Sequence, residues 1–286
     1  MSITKKRLLI YLGLSFGMAW LIFFVFIFTG HTWAGSSPEM LSLVSLGMLA
    51  PAVAHVITRK ITNEGFRLTG ENSMMLGIDL KGKKWIFFLL AMFLPVLYST
   101  LGDGIIWLFC PEAFGDATTS IFVVIIYPLF TVVYGVVLSF AAFGEEFGWR
   151  GYMMPKLIEL MGMPKAIIIG GIIWGLWHAP LTCVGHNFGM DYPGFPYVGI
   201  ILMCLFCTAL GTVLMYVTTK TNSIWPAAFM HAINNTSPSV MLLFMKQDIR
   251  IPLWVNALSN IPLILLAILC FWMMIKRKSI TKENTH

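Results

Sequence analysis

The sequence predicts an all-α polytopic membrane protein, and three observations carry that prediction. Hydrophobic residues make up 58% of the 286 and charged residues only 11%, too little charge to cover a soluble domain of this size. The apolar residues fall in repeated runs of about twenty, the length a helix needs to cross a hydrocarbon core. Lys and Arg collect in alternate gaps between those runs, which is the positive-inside bias of a membrane protein. The short alternating segments of a β-barrel are missing. The net charge of +6 is then a matter of topology, and no nucleic-acid partner is expected.

Eight spans are expected. The first is Leu8–Thr29, behind Lys5, Lys6 and Arg7. The second is Leu41–Ile57, closed by Arg59 and Lys60. A polar segment from Thr62 to Lys84 reads as a loop with room for a short hairpin. The third span starts at Trp85 and runs to Leu101, or to Phe109 if helix continues through Gly102-Asp103-Gly104. The fourth is Ile121–Phe143, the fifth Ala166–Thr182, the sixth Tyr197–Thr219, the seventh Ile224–Met245 and the eighth Leu253–Ile275. With both termini in the cytoplasm, 17 of the 19 basic residues fall inside, and only Lys246 and Arg250 fall outside. Adding or removing a span would spoil that bias.

No repeat or long linker divides the chain, so 1–286 is expected to form a single integral membrane domain. Within it, 1–120 holds spans one to three, 121–245 spans four to seven, and 246–286 span eight with a basic cytoplasmic tail. Cys204 and Cys207 form a Cys-x-x-Cys inside an apolar run with no nearby ligand to complete a metal site, so they read as packing residues.

Chemistry concentrates at the end of span four. After more than twenty largely apolar residues without a charge comes Phe143-Gly-Glu145-Glu146-Phe-Gly-Trp-Arg150. Ionisable groups at membrane depth cost ~2.5–3.5 kcal/mol each on insertion scales and tend to be functional. Glu146 and Arg150 are four apart and share a helical face, so they can simply pair. Glu145 points about 100° away and is left over. The segment Tyr152 to Met163 is apolar with scattered Lys156, Glu159 and Lys165, which suits an interfacial helix.

Few polar groups in the other spans can work with Glu145. Span five contains Trp174-Gly-Leu-Trp-His178, and span seven contains His231-Ala-Ile-Asn234-Asn235. His231 and Asn235 are four apart and project from one face. His55 and Asp103 stand alone in their spans and read as structural. A carboxylate in a low-dielectric site can deprotonate a held water, and a histidine can share that water or protonate a leaving amine. A histidine and an amide on one face can donate to a developing oxyanion. These are the parts of amide hydrolysis. One Glu and two His could also hold a catalytic zinc, with Glu145, His178 and His231 as the ligands, although His-Glu-x-x-His is absent. No Gly-x-Ser-Gly serine setting and no second membrane aspartate beside Asp103 is present, so serine and aspartyl intramembrane chemistries drop out.

The series Glu145-Glu146-x-x-x-Arg150, Trp174-x-x-x-His178 and His231-x-x-x-Asn235 resembles the CPBP family, which includes type II CAAX prenyl endopeptidases and Abi-type, bacteriocin-processing relatives. The resemblance covers spans four to seven. It implies an intramembrane endopeptidase acting on prenylated CAAX-like tails or small membrane peptides. It also implies that Glu145 activates water with His178, that His231 and Asn235 form the oxyanion site, and that Glu146, Arg150 and Trp174 support them. The family's second motif usually carries Phe where Trp174 stands, and the exchange is expected to alter packing rather than chemistry. No cofactor is expected, with room left for a divalent metal such as zinc.

Two expectations concern setting. The protein should lie in a bacterial plasma membrane, with membrane lipid as its surroundings and a peptide substrate met at the cytoplasmic face. A polar cavity among the helices should open to that face. A non-catalytic bacteriocin-immunity or scaffold protein of the same fold is the alternative. A transporter ranks below both, because no repeated half or matched pair of broken helices is visible. Naively, His178 sits ~18 Å along span five from Ala166 while Glu145 lies near the boundary. They can meet only if span five tilts or starts within the bilayer, or if span four continues with its end buried.

Overall fold

The computed structural model describes residues 1–70, 72–115, 120–246 and 249–283, with side chains to residue 276. The basic tail beyond Lys276 (Arg277, Lys278 and Lys282) lies outside the described side chains. The described residues are helical, and their only β pairing is an isolated bridge between Phe114 and Met245. The helices are α1 (Ile3–Phe28), α2 (Pro38–Ser45), α3 (Ala50–Ile61), α4 (Lys84–Phe109), α5 (Ile121–Val137), α6 (Ser139–Gly148), α7 (Met154–Met161), α8 (Met163–Trp177), α9 (Ala179–Thr182), α10 (Tyr197–Thr221), α11 (Trp225–Asn235), α12 (Leu253–Leu258) and α13 (Ile261–Glu283).

Among the described residues, five helical stretches are long and apolar enough to cross a membrane: Ile3–Phe28, Pro38–Ile61, Lys84–Phe109, Tyr197–Thr221 and Leu253–Lys276. A sixth is counted if α5 and the helix after it form one span, bent by 59°. The expected eight therefore become five or six full-length elements plus shorter ones. At 15 residues α8 is ~22 Å long, short of the ~30 Å core. The expected seventh span stops early. Its helix α11 ends at Asn235, because Ser237 takes a left-handed φ of 52° and Pro238 has no amide hydrogen to continue the ladder. A separate 3₁₀ turn, Val240–Phe244, fills the remainder.

Two other expectations are refined. Helix α4 takes the longer course, passing through Pro95 and the Gly102-Asp103-Gly104 stretch to Phe109. The Thr62–Lys84 segment has no strand among its described residues and is instead strapped across the bundle. Met75 O accepts from Ile224 N at 3.0 Å, and Leu76 O accepts from Trp225 Nε1 at 2.9 Å, tying the segment to the start of α11.

Glycine spacing sets the closest contacts. Gly171 and Gly175 lie one turn apart on α8, where a Cβ would overlap the backbone of Thr208 and Cys204, one turn apart on α10. Small residues at this spacing let two backbones approach without lipid between them. Cys204 thus acts as a packing residue, as its apolar run implied. Gly144 and Gly148 do the same for α6, which lies against the turn from Met48 to Pro51. The carboxylates between those glycines are consequently carried into the protein rather than left at a helix end.

Candidate active site

Span four does continue with its end buried. At Leu138 the chain turns, and α6 then runs into a five-residue π turn, Trp149–Met153, whose residues are all buried. Helix α8 breaks at His178, where α9 begins. A bent span four and a short α8 thus bring the motifs together.

The two carboxylates have separate partners. Glu146 is fully buried, and its Oε1 accepts from Arg150 at 2.9 Å and lies 2.8 Å from His231 Nδ1. The guanidinium of Arg150 also stacks 4.2 Å from the centre of the Trp174 ring. Glu145, equally buried, receives two indole donors on one oxygen: Trp174 Nε1 at 2.6 Å and Trp149 Nε1 at 3.2 Å, both to Oε2. The i,i+4 reading of Glu146 and Arg150 is correct, and His231 joins them. Trp174 is more than the expected aromatic wall. Its N–H reaches Glu145, which Phe could not do.

The histidines are fixed by their backbones and neighbours. His178 Nδ1 is 2.9 Å from the carbonyl of Trp174. A carbonyl can only accept, so Nδ1 carries the hydrogen and Nε2 is left with a lone pair. The His231 ring meets Trp174 edge-on at 5.3 Å. Asn235 is exposed at the end of α11, and its Oδ1 accepts from Asn234 Nδ2 at 3.3 Å. Asn234 in turn accepts from the Tyr98 hydroxyl at 2.7 Å, so α4 anchors this end of α11.

Three residues lie at the site without having been singled out from sequence. Trp149 stands four residues after Glu145, a spacing that would have revealed it. Trp177 packs between Trp149 and His178, with ring centres at 5.9 and 4.8 Å. His186, on the connection after α9, stacks on His178 at 5.8 Å with nearly parallel rings, and nothing in its local sequence announces that contact. His55 is structural, as expected: it bridges the Phe147 carbonyl and Arg59 Nε, at 2.9 and 2.7 Å.

Among the described residues, no three His, Cys, Asp or Glu side chains are placed to hold a metal ion. Glu145, His178 and His231 are not grouped in that way: Glu145 Oε2 faces two N–H donors and His231 Nδ1 faces Glu146. The space beside Arg150 and Trp174 is about 10 Å³, the size of one water, with Gly170, Gly171 and Gly211 on its wall.

Residues 127–237, which contain all three motifs, match a family described as Type II CAAX prenyl endopeptidase Rce1-like. A stretch of 51 residues is 45% identical to the CAAX prenyl protease 2 of Methanococcus maripaludis, covering 18% of this chain and 19% of that relative. The aligned part is thus about a fifth of the curated relative. Over residues 127–237 this match supports the resemblance of the three motifs to the CPBP family.

Proposed function

We propose that this protein is an intramembrane endopeptidase in which Glu145 and His178 activate a water for attack on a peptide carbonyl. The observation that carries this reading is the division between the two carboxylates. Among the described residues, Glu146 Oε1 is paired with the Arg150 cation and with His231, and its Oε2 is buried without a partner, whereas Glu145 has no charged partner and takes its two hydrogen bonds, from neutral indoles, on Oε2. Oε1 of Glu145 is then the acceptor for a water proton, and the Nε2 lone pair of His178 can hold the same water. The water oxygen bonds to the carbonyl carbon, the C–N bond breaks, and the proton taken from water passes to the leaving amine.

His231 and Asn235 receive the oxyanion. With its Nδ1 held against Glu146, His231 has Nε2 as the ring nitrogen left to face the developing charge. Asn235 Oδ1 is occupied by Asn234, which leaves its Nδ2 to donate. The chemistry needs no metal, since charge on the tetrahedral intermediate is met by these donors. Similarity to CAAX proteases supports prenylated CAAX-like tails or small membrane peptides as substrates, met at the cytoplasmic face, with both termini on that side.

The reading is tested with the purified chain in lipid nanodiscs and a fluorogenic prenylated peptide. Glu145→Gln keeps the shape and removes the base, and should lower kcat ~10²–10⁴-fold with KM little changed. Unaltered turnover by this variant would remove Glu145 from the role. Activity lost to a chelator and regained with zinc would replace the metal-free scheme.

A further inference from the structure

Asp103 was expected to stand alone in its span, and it does not. Helix α4 runs on beyond it to Phe109, with Trp107, Leu108 and Phe109 as exposed apolar side chains, so the carboxylate lies within the apolar length of the span. Polar groups from three elements gather beside it. From α4, the Tyr98 hydroxyl donates to Asn234, and Thr100 Oγ1 accepts from Val240 N at 3.4 Å. From α5, the Tyr127 hydroxyl donates to the Ser237 carbonyl at 3.3 Å, and the same tyrosine lies within electrostatic reach of Asp103. The Ser239 hydroxyl, itself buried, donates to Asp103. All these contacts fall on residues 234–240, the stretch that contains the proposed oxyanion donor Asn235.

A serine hydroxyl satisfies one lone pair of a carboxylate and leaves its charge uncancelled. Among the described residues, no Lys, Arg or His forms an ion pair with Asp103. The two cations nearest to this stretch in sequence are engaged elsewhere. Lys246 Nζ donates to the Glu112 carbonyl at 3.0 Å, and Arg250 pairs with Asp191. Residues 116–119 and 247–248, outside the described residues, read Asp-Ala-Thr-Thr and Gln-Asp and contain no cation. Gly102 packs on Ser259, just before α13, and the basic tail follows ~27 Å further along that helix. An ionisable group within a span is costly unless something offsets it, and such groups mark substrate paths. Asp103 is only partly buried, so a cation from outside the chain can reach it.

We propose that Asp103 is a specificity residue that receives a basic side chain, Lys or Arg, of the substrate peptide. The proposal rests on the hydrolytic reading of the site. Tyr98, which holds the end of α11 through Asn234, precedes Asp103 by ~7.5 Å along α4. An extended peptide covers ~3.3 Å per residue. For a peptide running along α4 with its scissile carbonyl at Asn235, Asp103 therefore meets a side chain about two residues away. The Tyr127 ring beside the carboxylate suits both the aliphatic stem and the cationic head of such a side chain. Asp103 touches no reacting atom, so its effect falls on substrate affinity.

The test uses the full chain in phosphatidylcholine nanodiscs and three forms of the fluorogenic prenylated peptide. One carries Lys two residues before the scissile bond, one carries Lys two residues after it, and one has norleucine at both places. Wild type should show a KM about 10-fold lower for one of the lysine peptides than for the norleucine peptide. Asp103→Asn should bring that ratio close to one, and Asp103→Glu should restore it. Binding is read apart from turnover, by fluorescence polarisation of the labelled peptides on the Glu145→Gln chain with and without Asp103→Asn. Turnover of no peptide, together with an Asp103-dependent preference in polarisation, would overturn hydrolysis and leave the recognition site standing. Equal affinity for all three peptides, or a lysine preference unchanged in Asp103→Asn, overturns the proposal. If Asp103→Asn does not fold, Ser239→Ala removes the hydroxyl that aims the carboxylate and should narrow the ratio. An unchanged ratio in that variant also overturns the proposal.

Discussion

The indole of Trp174 donates a 2.6 Å hydrogen bond to Glu145 Oε2, joining the second motif to the first through a bond that phenylalanine cannot make. A hydrogen bond to a charged group contributes about 1.5–3 kcal/mol. Trp174→Phe keeps the aromatic surface against Arg150 and removes only the donor. It should lower kcat about 10- to 100-fold and lower Tm, with KM close to wild type. Trp149→Phe, losing the longer 3.2 Å bond, should cost less. Equal losses in both variants would show that distance does not rank the two donors.

The Glu146, Arg150 and His231 group should behave as a structural unit. Removing one partner of a buried ion pair typically costs 3–5 kcal/mol, because the other charge stays buried and alone. Glu146→Ala and Arg150→Ala should each lower Tm markedly in detergent, and the double variant should cost less than the sum of the two. Additive losses in this double-mutant cycle would mean that the two side chains do not act as a pair.

Gly175→Ala should separate α8 from α10. A methyl group there would overlap the Cys204 backbone, which cannot turn away as a flexible side chain can. Overpacking of this kind costs about 1–3 kcal/mol. Because α8 carries Trp174 and His178, turnover should fall along with Tm. Gly13→Ala, on α1 with open space around its added methyl, is the matched control and should leave both unchanged.

Glu64 gives a pH dependence outside the spans. Burial alone would raise its carboxyl, but hydrogen bonds from Lys156 and Tyr152 and the charges of Lys156 and Arg59 outweigh burial and hold it below the usual glutamate value. A carboxyl held lower in the folded state stabilises fully above its unfolded value of about 4.3 and loses that contribution as pH falls through the folded value. The Tm advantage of wild type over Glu64→Gln should therefore be flat near neutrality and shrink below pH about 4. An advantage that grows on acidification would reverse the sign of the assignment.

Much of the site was legible because membrane depth makes polar residues rare. Glu145, Glu146, Arg150, His178 and His231 stand out in apolar runs, and the i,i+4 rule gave the Glu146–Arg150 pair directly. Span counting was less successful, since hydropathy registers an apolar run whether or not its helix is continuous. It therefore passed over the bend at Leu138 and the stop at Asn235. Trp174 was expected to support the site by packing, because an indole counts as hydrophobic while carrying a donor that only geometry can aim. Lys156 and Glu64 lie 92 residues apart, and no local pattern links them.

The strap from Thr62 to Lys84 bears on how the protein is handled. A long polar connection in a membrane protein is the usual place for an epitope, a protease site or a fluorescent insert. Here its Met75 and Leu76 carbonyls hold the first residues of the helix that carries His231, six residues downstream of Trp225. Lengthening the connection would slacken that tether and let the histidine drift from Glu146. Labels belong elsewhere, and a cut in this segment should abolish the proposed hydrolysis while leaving Glu145, His178 and His231 in the chain.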